Sequence, residues 1–529
     1  MEPIQPTNAP AVTPPTPPAQ EPAARPSRED RSLRRRALLG VAGLAGVAAL
    51  TRLARAGDLS PPTGPITASG TSLGAMSAKL DGFGIQIDSA LNLIDDGLSS
   101  LRPAITSDPK GVCEPRFSVT ALPSSADAQF VISKPGAYYL PSNVVQVQGM
   151  VCIDVLVDGV DIDGQGFSFI GAGGGGAGGS SCIRSKGRHA FEIYDCAFLG
   201  WQGSCLDLLD CDDVCISDVL FRGCVAGADP NTGAAGALVR CGSRCSMDDF
   251  AFSLCTGVAV QLVATGFFSD GEVSDNVGRA IQSVGGLCLD DCSFVRVTGD
   301  VLVVGGSSFV SDSEFLQCDG TAVTVGPASV IEGCDCVGGT GGGFRCADGC
   351  CVEDCSVLSK EAFAIECGSR CSVSENKVVL CGGISLGSEC DCCDNDLSNC
   401  SGGSDATQPM GGAINVRGGL CICEDNFVSG SRVGLSITVG GSWSTVENNT
   451  IMGAGTGGDP VAGGGAGIFV DPGATGVLCI CNHVTALQGT PPYVLGTATY
   501  GPIVSLLGAG GDISAVPGSS HPMANTFSS

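Results

Sequence analysis

Four closely spaced aspartates are the first residues whose type and spacing could do chemistry: Asp207, Asp210, Asp212 and Asp213. Carboxylate oxygens are the ligands that calcium prefers. Three basic residues follow the aspartates and could balance their charge or exchange a proton: Arg222, Arg240 and Arg244. Acidic turns exposed to water would give the same pattern. The cluster therefore indicates either a calcium-dependent site or solvated turns.

Thirty-one cysteines could form a disulfide framework or metal sites. Their alternation, as in 390–393 and 421–423, follows the period of a strand, and histidine is nearly absent. Reduced cysteine is a small side chain that is easily buried. Parallel side chains on stacked strands keep their Cβ atoms about 4.8 Å apart, which is long for a disulfide. We therefore expect most cysteines to be free thiols that fill a core.

One short pattern recurs from about Val151 to Val484, and most of its steps are 19 to 23 residues long. Apolar residues lie three positions before and two positions after an anchor residue, as expected for inward positions on two strands. The last five anchors are asparagines, which predicts a ladder of stacked amides inside a turn. The predicted anchors are Cys196, Val219, Phe250, Glu272, Cys292, Glu314, Cys334, Cys355, Asn376, Asn395, Asn426, Asn448 and Asn482.

An acidic residue precedes the anchor in nine of thirteen repeats. If consecutive repeats stack in register, these carboxylates lie about 5 Å apart. Water and salt could screen the repulsion between them, or calcium could bind between successive carboxylates. The candidate calcium ligands are Asp354, Glu375, Asp394, Asp425 and Glu447.

These repeats resemble those of the bacterial secreted right-handed β-helix proteins of the pectin-lyase-like superfamily. The segment 130–140, Phe-Val-Ile-Ser-Lys-Pro-Gly-Ala-Tyr-Tyr-Leu, is similar to the lead-in of their first coil, and so is 160–167. The resemblance implies an all-β fold: a right-handed parallel β-helix, a single-stranded solenoid of about 14 coils over residues 112–490. Residues 491–529 are expected to form a C-terminal tail. The superfamily includes lyases, hydrolases, epimerases and non-enzymes, so the resemblance does not define an activity.

Polygalacturonase-like members carry N-x-D, a paired Asp, G-H-G and R-x-K on neighbouring coils. Here Arg184-Ser185-Lys186 matches R-x-K, and Asp212-Asp213 could be the pair, but in the wrong order. No G-H-G is present among the three histidines. The resemblance thus implies only weak catalytic candidates: Asp207, Asp210, Asp212, Asp213, Arg184 and Lys186.

The N-terminal residues are similar to a twin-arginine export signal. Arg34–Arg36 precede an apolar run that ends at Leu50, and Ala54-Arg55-Ala56 is a typical cleavage site. A retained membrane anchor is the alternative, although the apolar run is short for a bilayer span. We predict a disordered N-terminus and cleaved signal over residues 1–56, no stable membrane span after cleavage, and a periplasmic, extracellular or cell-surface location.

Residues 57–111 are predicted to contain a linker and a short amphipathic helix, because Leu73, Leu80, Ile87, Ile94 and Leu101 recur every seven residues. Over residues 73–101 this helix could make a homo-oligomer or cap the solenoid. Four insertions share one phase of the repeat, so they should leave one corner: 171–180, 225–236, 401–412 and 453–466.

The composition excludes a nucleic-acid partner. Residues 1–56 hold eight arginines and four acidic residues, so their removal takes the net charge from −27 to −31. Two function hypotheses stay open. One is a non-enzymatic, structural protein or one that binds polysaccharide or another surface component. The other is a polysaccharide lyase or glycoside hydrolase. No cofactor other than calcium is indicated.

Overall fold

The computed structural model describes residues 116–172, 180–227, 236–401, 412–431, 433–454, 466–486, 492–501, 503–505 and 524–528. These residues form an all-β parallel solenoid of about 15 turns, which confirms the predicted fold class. The predicted export signal (1–56) and amphipathic helix (73–101) lie outside the described residues. Two short 3-10 helices, Val119–Ala121 and Val439–Gly441, accompany the strands.

Each coil contributes one strand to each of three parallel sheets, named A, B and C. Three long strands bend through the corners between sheets: His189–Leu199, Leu206–Arg222 and Ala237–Ser253. The other strands of sheet A are Phe117–Ser118, Gly136–Tyr139, Val160–Asp163, Gly266–Ser269, Leu287–Asp290, Phe309–Ser311, Val330–Glu332, Cys351–Glu353, Ser372–Ser374, Asp391–Cys393, Ile422–Glu424, Thr445–Glu447, Leu478–Ile480 and Thr499–Tyr500.

Sheet B follows sheet A in each coil, and sheet C begins the next coil. Sheet B contains Val144–Val145, Ser168–Ile170, Glu272–Ser274, Ser293–Val295, Glu314–Leu316, Asp335–Val337, Ser356–Leu358, Lys377–Val379, Asp396–Ser398, Phe427–Ser429, Thr450–Ala454, His483–Ala486, Ile503–Ser505 and Asn525–Ser528. Sheet C contains Ala128–Ile132, Val151–Val155, Ile183–Ser185, Val258–Leu262, Ile281–Ser283, Leu302–Val304, Val323–Val325, Phe344–Cys346, Ile365–Cys367, Ile384–Leu386, Ile414–Val416, Val433–Ile437, Ala466–Val470 and Tyr493–Val494.

Residues with a left-handed backbone, five positions apart, make the corners of each coil. In the coil around Cys355 they are Gly349, Asp354 and Ser359, with φ values of 70°, 52° and 57°. Glycine, aspartate and asparagine tolerate this conformation best, so short strands alternate with these residue types. The strands are therefore only three residues long in most coils.

Strand pairing corrects three of the predicted anchors by one residue. Ala251 pairs with Glu272, so the partner of Phe250 is Gly271. In the same way, Ser313 and Asn449 occupy the anchor positions in place of Glu314 and Asn448. With this register the repeat is 21 residues long in six consecutive coils, from Phe250 to Asn376.

The core consists of columns of identical positions stacked along the axis. The predicted inward positions are buried, and phenylalanines in one column stack face to face, with centroids of Phe198 and Phe221 5.0 Å apart. The predicted asparagine ladder is present and gains a sixth member, Asn525. In each step an amide Nδ2 donates to the Oδ1 of the next coil, for example from Asn395 to Asn426 at 2.9 Å.

The cysteines of the described residues are all free thiols, and most of them are buried in the columns. Within residues 491–529, which were expected to form a tail, four strands pair with the solenoid: Tyr493–Val494, Thr499–Tyr500, Ile503–Ser505 and Asn525–Ser528. Most residues of the four insertions lie outside the described residues; along the chain, each insertion falls at the connection from a strand of sheet B to the next strand of sheet C.

Candidate ligand-binding face

The outward centre of sheet C carries a row of charges that alternate in sign at its N-terminal end. In register, Asp154 pairs with Arg184, Arg184 with Asp207, and Asp207 with Arg240. Arg184 donates two hydrogen bonds to the Asp154 carboxylate, at 3.0 and 2.7 Å. Arg240 approaches Asp207 at 3.6 Å. Opposite charges directly across a strand pair stabilise the sheet.

The aspartates that follow lie at the corner between sheets C and A. A register irregularity between Leu208 and Asp212 bulges the strand there. Asp210 and Asp213 have a left-handed backbone, with φ of 59° and 57°. Asp213 forms an ion pair with Arg244 at 3.0 Å, and Asp212 approaches His189 at 3.4 Å. Three of the four candidate aspartates, Asp207, Asp212 and Asp213, therefore face basic partners.

A groove beside this row is lined by Asp154, Val155, Leu156, Arg184, Lys186 and Arg188, and we call it the Arg184 groove. Its volume is about 230 Å³, below the range of about 300–1,000 Å³ that encloses small ligands, so it suits one group of a larger ligand. Leu156 is 44% exposed and forms an apolar wall.

The Arg184 groove is lined by more basic than acidic side chains. Arg184 is paired with Asp154, whereas in the part of the chain that the structure describes neither Lys186 nor Arg188 forms an ion pair. The Nε of Arg188 is buried and has no hydrogen-bond partner there. A buried donor without an acceptor is costly, so this guanidinium would gain from an anionic ligand.

The sequence indicated Arg184 and Lys186 but missed Asp154 and Arg188. Arg188 continues an alternation of basic residues that starts at Arg184, which is a signal that could have been used. Asp154 lies one coil earlier, and only the strand register brings it opposite Arg184.

The acidic residues that precede the anchors occupy the left-handed corner position between sheets A and B. Asp354, Glu375, Asp394 and Asp425 have φ between 52° and 58° and are exposed. Glu447 is not part of that row, because Asn448 takes the corner position and Glu447 pairs with Glu424. The backbone conformation alone accounts for aspartate at this position.

No group of three or more His, Cys, Asp or Glu side chains suited to a metal ion occurs among the described residues. Calcium at the five predicted ligands, and at Asp207, Asp210, Asp212 and Asp213, thus stays a prediction.

A second acidic column lies beside the first, at the outward end of the sheet A strands. Glu332 is directly opposite Glu353, and Glu424 is directly opposite Glu447. Partial burial, and then the charge of Glu353, raises the pKa of Glu332. Burial, followed by Asp425 and Glu447, raises the pKa of Glu424. Asp290 shares the column, and burial raises its pKa although the Ser311 hydroxyl donates to it at 2.6 Å.

No protein-family model and no curated protein matches the sequence. Among solved structures, the alginate lyase AlyF-OU02 in complex with G6 is 10% identical, with 75% of this chain and 90% of that chain covered and a TM-score of 0.36. The A-module of the mannuronan C-5 epimerase AlgE4 from Azotobacter vinelandii is 12% identical over 72% and 99%, with a TM-score of 0.28. A mutant DFA-IIIase from Arthrobacter chlorophenolicus A6, in complex with DFA-III, is 13% identical over 78% and 98%, with a TM-score of 0.23.

The chain is a parallel β-helix protein. The parallel β-solenoid is the fold that the resemblance found in the sequence implies. With TM-scores this low, the neighbours say nothing about activity or ligand. None of the helices in the described residues has the length and apolarity needed to cross a membrane.

Proposed function

We propose that this chain is an exported β-helix protein that binds an acidic polysaccharide at the Arg184 groove without cleaving it. The observation that carries the proposal is the pair of basic side chains, Lys186 and Arg188, that lack an acidic partner in the described part of a chain whose net charge is −27. A carboxylate or sulfate on a sugar would accept hydrogen bonds from both. The exposed Leu156 offers an apolar contact for the sugar ring.

The acids near the groove favour binding over cleavage. General acid–base chemistry needs a carboxyl group or base that is available to the substrate. Asp154, Asp207 and Asp213 are instead neutralised by arginines. A lyase or hydrolase is the alternative, and the notable group in its favour is His189 beside Asp212, since an imidazole can act as a base near neutral pH.

Export is part of the proposal and rests on the N-terminal sequence. Arg35 and Arg36 precede the apolar run, and Ala56 ends the cleavage motif. Self-association through residues 73–101 is proposed on the heptad spacing alone.

The test is calorimetric titration of the purified protein with polysaccharides that carry carboxylate, sulfate or no charge. We expect binding of a charged polymer, weakened about tenfold by Lys186→Ala and again by Arg188→Ala, because each removes a hydrogen bond to a charge. Lys377→Ala is the matched control, since Lys377 is an exposed cation on sheet B.

Equal weakening by Lys377→Ala would mean that binding depends on general charge and would refute the groove. Each mixture is also assayed for new reducing ends and unsaturated products, with and without calcium. Cleavage that is lost in His189→Ala would replace the binding proposal with the enzyme alternative.

A further inference from the structure

Three coils place two cysteines, four residues apart, on the two sides of one corner between sheets C and A. Cys346 and Cys367 each end a strand of sheet C, and Cys350 and Cys371 directly precede a strand of sheet A. Cys241 and Cys245 lie within the long strand Ala237–Ser253, which bends through the same corner. A left-handed residue immediately before the second cysteine makes the turn: Arg244, Gly349 and Arg370, with φ of 54°, 70° and 60°. The pairs are Cys241 with Cys245, Cys346 with Cys350, and Cys367 with Cys371.

The side chains of each pair converge because the chain bends around the interior between them. The Sγ atoms of Cys241 and Cys245 are 3.1 Å apart and share a hydrogen bond. Cys346 with Cys350, and Cys367 with Cys371, have the same four-residue spacing across the same left-handed turn. All six thiols are at most 5% exposed.

Cysteines on neighbouring coils are arranged differently. Cys392 and Cys423 are register partners in sheet A, so their side chains point the same way. Stacked Cβ atoms then stay about 4.8 Å apart, longer than the usual disulfide value of about 3.8 Å. The corner pairs are free of this constraint, because they belong to one coil.

The repeat itself suggests that the two positions are coupled. The first position holds cysteine in three coils after Leu208, and the second position is cysteine in all three of them. Where the first position holds Leu262, Ser283, Val304 or Val325, the second holds Gly266, Leu287, Ser308 or Ser329, but Cys390 and Cys421 hold the second position behind Leu386 and Val416. In the described coils a cysteine at the first position is thus accompanied by one at the second, whereas a cysteine at the second also occurs alone.

We propose that these three corner pairs are sites of disulfide formation, while the stacked cysteines of neighbouring coils stay reduced. In each pair one thiol loses a proton and the thiolate attacks a small disulfide such as oxidised glutathione, which releases one glutathione thiolate. The second thiolate then attacks the mixed disulfide and releases the other, so two protons leave and the two electrons reduce the glutathione disulfide.

Two features of the corner bear on this reaction. In one pair, hydrogen bonds from Cys350 and Cys367 lower the pKa of the Cys346 thiol, which favours the nucleophilic thiolate, whereas burial and then Cys241 raise the pKa of Cys245. The buried thiols become accessible when the corner opens locally or while the chain folds. A closed pair would hold the strand of sheet C to the strand of sheet A within one coil.

Protease sites between the paired cysteines allow a direct test by peptide mapping. The reduced full-length protein is unfolded, refolded in a mixture of reduced and oxidised glutathione, and alkylated. Trypsin cuts after Arg244 and Arg370, between the paired cysteines, and a protease specific for aspartate cuts at Asp348. Each pair should remain as two peptides joined until reductant is added, with a loss of six reactive thiols, two for each pair.

Cys392 and Cys423 are the internal control and should be alkylated. Cys245→Ser should return one thiol, that of Cys241, to the count. Serine occupies the equivalent position at 308 and 329, so this variant is expected to fold. The proposal is overturned if the corner cysteines are all alkylated, if Cys371 is joined to Cys390 instead, or if Cys392 and Cys423 oxidise as readily as the corner pairs.

Discussion

At the scale of the residue, backbone conformation decides where most acids of this chain lie. The corner before the inward anchor has positive φ in coil after coil, and it holds aspartate nine times. Aspartate is among the few residues that tolerate this conformation. The predicted carboxylate row is therefore a product of the fold, and water and salt screen the repulsion along it. The nine corner aspartates are Asp195, Asp218, Asp249, Asp270, Asp291, Asp312, Asp354, Asp394 and Asp425, and Glu375 holds the same corner in a further coil.

The second acidic column has a different origin and gives a pH prediction. Glu332 and Glu353 are directly opposed in a strand pair, where like charges destabilise by about 0.2–1 kcal/mol. The pKa of Glu332 is raised by burial and by Glu353, so the folded state holds its proton above the ordinary value of about 4.3. Its destabilising effect is absent below that ordinary value, grows as the pH rises through the raised pKa, and is complete above it.

Glu332→Gln should therefore increase the free energy of unfolding at neutral pH and have no effect below about pH 4. Urea unfolding at several pH values measures this difference. Glu361→Gln is the control, because Glu361 is exposed and lies outside the strands. A gain of stability that is the same at all pH values would show that packing, rather than charge, is responsible.

At the scale of the element, the asparagine ladder joins the C-terminal coils through buried amides. Asn426 donates to the Cys392 carbonyl at 2.9 Å and to Asn449 Oδ1 at 3.0 Å, and it accepts from the backbone and side chain of Asn395. Its side chain is 1% exposed. Removing it leaves several buried groups without partners, each of which costs about 1–3 kcal/mol.

Asn426→Ala should lower the free energy of unfolding by about 2–4 kcal/mol. Asn426→Ser should lower it less, because Ser313 in the same column accepts the hydrogen bond from the backbone N–H of Cys292 at 3.2 Å. Denaturant unfolding tests both, and Asn399→Gly, at an exposed left-handed position, is the control. A smaller m-value in Asn426→Ala would mean that the coils on either side unfold separately.

The sequence predicts these elements to within one residue, and the error has a physical cause. Period counting placed anchors at Glu314 and Asn448, whereas the register places Ser313 and Asn449 there. Moving an anchor by one residue changes the repeat length very little. It does, however, place the anchor out of step with the left-handed corner residue that must precede it. Alignment on the acid or asparagine that precedes each anchor, such as Asp312 or Asn448, would have given the correct register.

The candidate site was less predictable than the fold. Arg184 and Lys186 stand out in the sequence as an R-x-K motif. Asp154 lies opposite Arg184 only because of the register between coils, and Arg188 is distinguished by its buried Nε. Contacts between coils join residues that are about 20 or more positions apart in the sequence. A single sequence therefore does not define which side chain is left without a hydrogen-bond or ion-pair partner.

At the scale of the whole molecule, charge accumulates along one edge of the solenoid. The net charge of −27 is unusual for a chain with so few charged residues, and the two acidic columns run side by side between sheets A and B. Repulsion along such an edge opposes the compact state. Any cation that screens or binds the edge should therefore stabilise the fold.

Thermal unfolding in sodium chloride and calcium chloride at matched ionic strength distinguishes screening from binding. The corner acids are exposed, and no metal-ligand group occurs among the described residues, so we expect the two salts to raise the unfolding temperature by similar amounts. Asp394→Asn should keep the corner intact, since Asn448 holds the same position in another coil. This variant should unfold at a slightly higher temperature in low salt and respond less to either salt. A calcium response well beyond that of sodium, and lost in Asp394→Asn, would instead establish calcium ions bound along the row.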